Sequence, residues 1–306
     1  MDFLYVIAWS DELETKGHLD CFIEKLLLSL HNYNIHVFLE ETKEKTKDTL
    51  KQVLKEKQLQ PENGLLLAAS DLLLAQADCL GLATVGFLNP KFPGQTYEKA
   101  QILVEGFEEV DFYFLERIYN RKHKIPWRVI DTKRCYLREM TMEDLEDLYT
   151  LYEGEGMTTY LEPLYEDRNE EAAYMKAYID HQYYYYGYGM WLVMERESGR
   201  LIGRAGLDNH EFHGKIELEM GYAIDEKLRR QGYGFEVCEA ILTYAAEFLE
   251  FERVNCLVDK ENTASIKLLL KLGFSWMEEV NTDGKKMQRY VRTLKNWKSS
   301  LHCEKN

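Results

Sequence analysis

The sequence has no CxxC pair and no paired histidine spacing. Its six cysteines stand apart, at positions 21, 79, 135, 238, 256 and 303. This argues against a zinc site or a disulfide framework, so no metal is expected and reduced, cytoplasmic thiols are. Cys238 and Cys256 sit among apolar residues and read as small core side chains rather than nucleophiles. No apolar run approaches the roughly 20 residues that span a bilayer. The start has no basic n-region, so neither a membrane span nor a signal peptide is expected. Basic residues are scarce beside acidic ones, 38 against 53, for a formal net charge of −15. Such a field repels a phosphate backbone, which removes nucleic acid from the expected partners. It attracts a cationic substrate.

At 306 residues, two domains are expected. The first half alternates strand and helix. Apolar strands are predicted over residues 4–9, 34–39, 64–69 and 84–87, with a short one at 103–105. Helices are predicted over 18–30, 42–59, 71–80 and 111–119. Alternation of this kind implies a parallel sheet with covering helices, a Rossmann-like α/β domain over 1–125. A linker is placed at 121–133, where Pro126 follows a basic stretch.

The second half, 130–298, reads as α+β with a mixed sheet. A strand at 134–138 leads to Thr141, an N-cap with Asp144 at the capping-box position. Helices follow, one of them over 169–184. An antiparallel meander then covers 190–195, 200–206 and 216–224, and alternating helices and strands run to 291.

The informative segment begins at Tyr222, Ala223 and Ile224, the end of a strand. A polar loop carries Arg229, Arg230 and Gln231. Then Gly232, Tyr233, Gly234 and Phe235 open a helix. Glycine lets backbone approach a ligand closely, and the free N–H groups of a first helical turn attract an anion. The segment thus reads as a pyrophosphate site, or as a tight strand-to-helix turn. A dinucleotide GxGxxG is absent, because the third glycine position is Val237.

The spacing Arg229-x-x-Gly232-x-Gly234 resembles the (Q/R)xxGx(G/A) signature of the GNAT acetyltransferase superfamily. The run from Asn262 through Ser265 to Gly273 and Phe274 resembles that superfamily's NxxSxxLYxKxGF segment. Glu219-Met-Gly-Tyr222 resembles its fourth strand, and Tyr136-Leu-Arg138 with Thr141 and Asp144 resembles its opening. The nearest branch is that of the ribosomal-protein N-acetyltransferases. The resemblance implies acetyl-CoA as co-substrate and a primary amine as acceptor, either a small molecule or a protein N-terminus. It implies that the backbone of Tyr222, Ala223 and Ile224 holds the thioester arm. The N–H groups from Arg230 to Phe235 would cradle the pyrophosphate. Asn262 would meet the pantetheine arm with Ser265 beside it, and Asn262 also reads as a helix N-cap.

Direct attack by a neutral amine needs a base and an oxyanion donor. Glu219 is the candidate base, with Glu217 on the same strand face; either also reads as a solvent-facing strand residue. Leu269 stands where many relatives carry the tyrosine acid. That leaves water, Tyr222 or Tyr233 to protonate the thiolate. The tyrosines at 183–186 and 188 read as an acceptor pocket or as a packed helix end. His210 and His213, in the loop before the fourth strand where relatives admit acceptor, read as solvated loop residues or as catalytic ones. The rival reading of this half is a sensor that binds acyl-CoA without turnover.

In the first half, Ser70, Ala77, Gly81 and Gly86 resemble the last motif of haloacid-dehalogenase-like phosphatases. The two metal-holding aspartates of that motif fall on Ala69 and Leu73. Asp11 has no second aspartate to form a DxD. The resemblance therefore implies a degenerate module for packing, homodimer formation or acceptor binding, without phosphatase activity.

Overall fold

The structure is a computed structural model and describes residues 3–15, 18–19, 21–41, 45–282 and 284–294. Cys303 and the expected domain end at 298 lie outside the described residues, as do residues 42–44 of the helix predicted over 42–59. The chain divides into two compact units, Met1–Trp127 and Arg128–Asn306.

In the first unit, β1 (Tyr5–Trp9), β2 (His36–Glu40), β3 (Gly64–Ala68), β4 (Ala83–Phe87) and β5 (Ile102–Val104) form one parallel sheet. Its order is β2-β1-β3-β4-β5. Alternation along β1 explains why both faces are covered. Val6 and Ala8 pack with α1 (Cys21–Ser29) and α4 (Phe112–Lys122). Tyr5, Ile7 and Trp9 pack with α2 (Thr49–Glu56) and α3 (Asp71–Leu80). A strand buried on both faces must be apolar throughout, which is why these runs do not alternate with polar residues. Ser70 caps α3 by accepting from Leu73 N–H, and Gly81 ends it at φ 93°. The helix predicted from residue 18 starts later, because His18–Leu19 pairs in extended form with Glu14–Thr15.

The second unit holds an eight-stranded mixed sheet. Its members are β6 (Arg128–Asp131), β7 (Cys135–Arg138), β8 (Met190–Glu195), β9 (Leu201–Phe212), β10 (Lys215–Ile224), β11 (Arg253–Val258), β12 (Ser275–Thr282) and β13 (Lys285–Thr293). The order is β12-β13-β11-β10-β9-β8-β7-β6. Only β10 and β11 run parallel; the other neighbours are antiparallel. The longer helices between these strands are α5 (Leu145–Tyr152), α6 (Arg168–Tyr178), α7 (Tyr233–Glu247) and α8 (Thr263–Lys271), and α6 runs on through a π-helical stretch at Ile179–Tyr183. Residues 128–131, expected as linker, are strand β6, because their backbone groups pair with β7. Cys238 and Cys256 are buried and free, and burial pushes both thiols up. Among the described residues no helix is long and apolar enough to cross a membrane.

Asp144 closes a capping box with Thr141 and makes a two-pronged pair with Arg138, at 2.8 and 2.5 Å. Burial alone would raise its carboxyl, but Arg138 and the Thr141 N–H outweigh burial and hold it below the ordinary value. A depressed folded value stabilises the fold above the unfolded pKa of about 3.9, and that stabilisation is lost as pH falls through the folded value. Asp144→Asn should cost about 3–5 kcal/mol at neutral pH, because it strands the Arg138 charge. Chemical denaturation at pH 7 and at pH 3 checks this: the gap between variant and wild type should narrow at the lower pH.

Candidate active site

Parallel strands β10 and β11 share a single ladder pair, Glu219 with Asn255. Beyond it they part. Tyr222, Ala223 and Ile224 pair on their other side with Ala205, Arg204 and Gly203 of β9. Their β11-facing edge has no ladder partner, so it can accept an extended ligand arm. A buried polar knot sits at the base of this fork. Asn255 donates to Leu218 C=O at 3.0 Å and to Glu217 Oε2 at 3.1 Å. Arg289, which is 2% exposed, donates to Asn255 Oδ1, Glu217 and Glu278 at 2.7–2.9 Å. Arg253 also pairs with Glu217. These bonds anchor β10, β11 and β13 together below the opening.

After β10 the chain turns through Arg230 at φ 59° and Gly232 at φ 87°. Both lie in the left-handed region, where Gly232 needs no Cβ and Arg230 is strained. Helix α7 begins at Tyr233 with no side-chain cap, and its first closed bond is Glu236 N–H to Gly232 C=O at 3.1 Å. The N–H groups of Tyr233, Gly234 and Phe235 thus have no partner within the helix. Arg229 donates to Ile224 C=O at 3.2 Å and to Gly156 C=O at 3.4 Å, which ties the loop before α6 to the end of β10. Gln231 bonds Lys227 C=O by its side chain, and its own C=O accepts from Arg134. Lys271 lies over the Phe235 ring, 4.3 Å from its centroid. Asn262 Oδ1 accepts from Ser265 N–H at 3.1 Å, so it caps α8.

A cavity of about 720 Å³ opens beside the fork. It is lined by Gly221, Tyr222 and Ala223 of β10, by Arg204 and Asp208 of β9, and by Tyr152, Tyr174 and Tyr178 from the helices. Next to it, Glu219 Oε2 lies 2.9 Å from His210 Nδ1. Burial pushes the Asp208 carboxyl up and the Glu219 charge adds to this, against the Asn209 N–H. The Tyr222 hydroxyl lies 2.6 Å from Ser265 Oγ, and burial pushes it well up.

Residues 134–275 match the family model described as acetyltransferase (GNAT) domain. This stretch of the chain is a GNAT domain. That family, with the N-acetyltransferases among its relatives, is one of acetyl-CoA-dependent acyltransferases. The chain is 28% identical over 150 residues to an uncharacterized N-acetyltransferase, YoaA, of Bacillus subtilis (strain 168), a match covering 48% of this chain and 82% of that one. A second B. subtilis protein, YkkB, is 25% identical over 111 residues, covering 36% of this chain and 64% of its own length. A putative ribosomal-protein-serine acetyltransferase from Vibrio cholerae superposes at TM-score 0.47 with 23% identity, over 55% of this chain and 97% of that one.

The GNAT domain brings the expected donor-site residues together, from Tyr222–Ile224 through the start of α7 to Asn262 and Ser265. Other expectations need correction. The tyrosines at 183–188 do not line the cavity. Tyr183 is buried and donates to Met190 C=O, Tyr188 bonds Asn209, and Tyr185 and Tyr186 are exposed. His210 lies in strand β9 and pairs with Glu219, while His213 faces Glu278. Tyr233 turns its hydroxyl to Glu195, under the Arg134 guanidinium, so it is not at hand for a leaving thiolate. Arg204, Asp208, Tyr152, Tyr174 and Tyr178 escaped the sequence reading. The alternation of β9 carries the signal, since positions 204, 208 and 210 share one face and buried Ala205 and Leu207 share the other. Among the described residues no group of three or more His, Cys, Asp or Glu is placed to hold a metal.

Gly232→Glu should lower affinity for CoA by about 100-fold or more, because it adds strain at φ 87° and sets a carboxylate against an anion. Calorimetry with CoA checks this, and unchanged affinity would remove the start of α7 from the donor site.

Proposed function

We propose that the protein transfers the acetyl group of acetyl-CoA to a primary amine by direct attack in a ternary complex. The observation that carries this reading is the fork between β10 and β11, with an unpaired helix start on one side and a carboxylate-lined cavity on the other. The residues fit the donor. The edge of Tyr222, Ala223 and Ile224 would hold its arm. The N–H groups from Arg230 to Phe235, helped by Arg229, would hold its pyrophosphate. Asn262 and Ser265 would border the arm.

An amine reaches the cavity as ammonium. Glu219, kept in place by His210, would take its proton, directly or through a water. The nitrogen–carbon bond forms as the carbon–sulfur bond breaks, and the backbone N–H groups of the β10 edge face the oxygen that gains charge. Tyr222 is proposed on the leaving-group side as a hydrogen-bond donor. Its raised hydroxyl keeps its own proton, so solvent neutralises the departing thiolate. A small-molecule amine and a protein N-terminus both fit this scheme.

For the first unit, we read a degenerate haloacid-dehalogenase-like scaffold in which two copies of the chain could pair. Ala69 and Leu73 are buried where metal-holding aspartates would stand. Glu12 accepts from Ala69 and Ser70 N–H, and Lys45 faces Asp11 and Glu12. Magnesium-dependent phosphate-ester hydrolysis should be absent, and its presence would overturn this reading.

Thiol release from acetyl-CoA with a panel of amines and N-terminal peptides tests the main proposal. Binding of acetyl-CoA with no release for any amine would make the domain a sensor. Glu219→Gln should lower kcat/KM by about 100-fold with donor affinity intact; normal turnover across pH would remove Glu219 from the mechanism.

A further inference from the structure

Strand β9 places Arg204 and Asp208 on the same face of the sheet, both lining the cavity. Arg204 is unusual. Its guanidinium sits 5.8 Å from the centroid of the Tyr178 ring. Its Nε is shut off from solvent and has no hydrogen-bond partner. Among the described residues no carboxylate lies within 4.0 Å of it. Arg138 and Arg289, in the same sheet, each have their carboxylates at 2.5–2.8 Å. A charge held away from water is costly unless it is paired and hydrogen-bonded. Among the described residues Arg204 hydrogen-bonds the Tyr152 side chain but has no carboxylate to pair with, and it borders the space an acceptor enters.

Asp208 marks the other end. Its carboxylate accepts from Asn209 N–H at 2.8 Å and from Gln182 Nε2 at 3.1 Å, and it stands opposite Glu219 in the β9–β10 register. Four strand residues separate Asp208 from Arg204, about 13 Å between Cα atoms, a gap that the two side chains shorten. The cavity therefore has an anion-seeking end and an ammonium-seeking end, with Tyr178 beside both. The net charge of −15 favours cations at long range, but a purely cationic amine would meet Arg204 as a like charge and leave it unpaired.

We propose that the acceptor is a zwitterion, an amine that also carries a carboxylate, and that Arg204 selects it by pairing with that carboxylate. The ammonium end then faces Asp208 and Glu219. This rests on the acetyl-transfer reading above and names its substrate class. A guanidinium pairs with a carboxylate through two parallel N–H donors, which gives orientation as well as attraction.

The test compares matched acceptors on the full chain: amino acids of increasing chain length, their carboxamides, and the amines left by removing the carboxyl group. For at least one length the amino acid should exceed both analogues by about tenfold or more in kcat/KM. Arg204→Met should erase that preference, chiefly through a raised KM for the amino acid, so that its kcat/KM falls about tenfold relative to the carboxamide and the decarboxylated amine. Arg204→Lys should restore part of it. A residue that only supported the fold would lower all three acceptors together, and melting with CoA confirms that the variants fold. Equal use of the three acceptors by wild type would overturn the proposal, as would equal losses in Arg204→Met. If no amine releases CoA, the acetyl-transfer reading fails, and calorimetry still decides this one. Amino-acid binding to the CoA-loaded protein, lost in Arg204→Met, supports it, and no binding by wild type overturns it.

Discussion

Two parallel strands that pair at one residue and then separate govern the second unit. A backbone edge without a partner is costly in a folded interior, so the opening of β10 from β11 persists only if something holds it. The Glu217–Asn255–Arg289 knot does so from below. Its bonds of 2.7–3.1 Å pin three strands at the base of the fork. From that opening follow the exposed edge at Tyr222–Ala223, the turn through Gly232, and the start of α7 aimed at the same space.

Charge is divided along this site. The proposed donor end would draw on backbone N–H groups with Arg229 and Arg230, and depends little on side-chain carboxyl chemistry. The acceptor end collects Asp208, Glu219 and His210 around a partly enclosed cavity, where burial shifts titration more than it would on the surface. Two cations, Arg204 and the exposed Lys285, interrupt that acidic lining. The proposal for the acceptor rests on Arg204, which stands in the strand between apolar neighbours, rather than on the net charge of the chain.

Much of the strand-to-helix turn after β10 was legible in the sequence, because it rests on residues with few structural alternatives. Gly232 at φ 87° and an uncapped helix start leave a spacing that can be read directly. The acidic partner of the cavity was half legible, since Glu219 lies on a recognisable strand but its bond to His210 depends on a β9–β10 register that turn length decides. The tyrosine run left two readings open, and the packed helix end is the one observed, for a related reason. The helix continues through a π-helical stretch to Gly187, which rotates Tyr185 and Tyr186 outward and buries Tyr183, while tyrosines one and two turns earlier reach the cavity. In the first unit, strands buried on both faces announced a parallel sheet. The strand at 128–131 was hidden because a short polar edge strand resembles a linker.

The central claim is that CoA lies across the fork and against the start of α7, held mainly by main-chain groups. Backbone hydrogen exchange with and without CoA measures this most directly. Slowed exchange at the amides of residues 222–224 and 230–235, with little change elsewhere in the sheet, is the predicted result. Protection confined to other segments, with these amides unchanged, would contradict it.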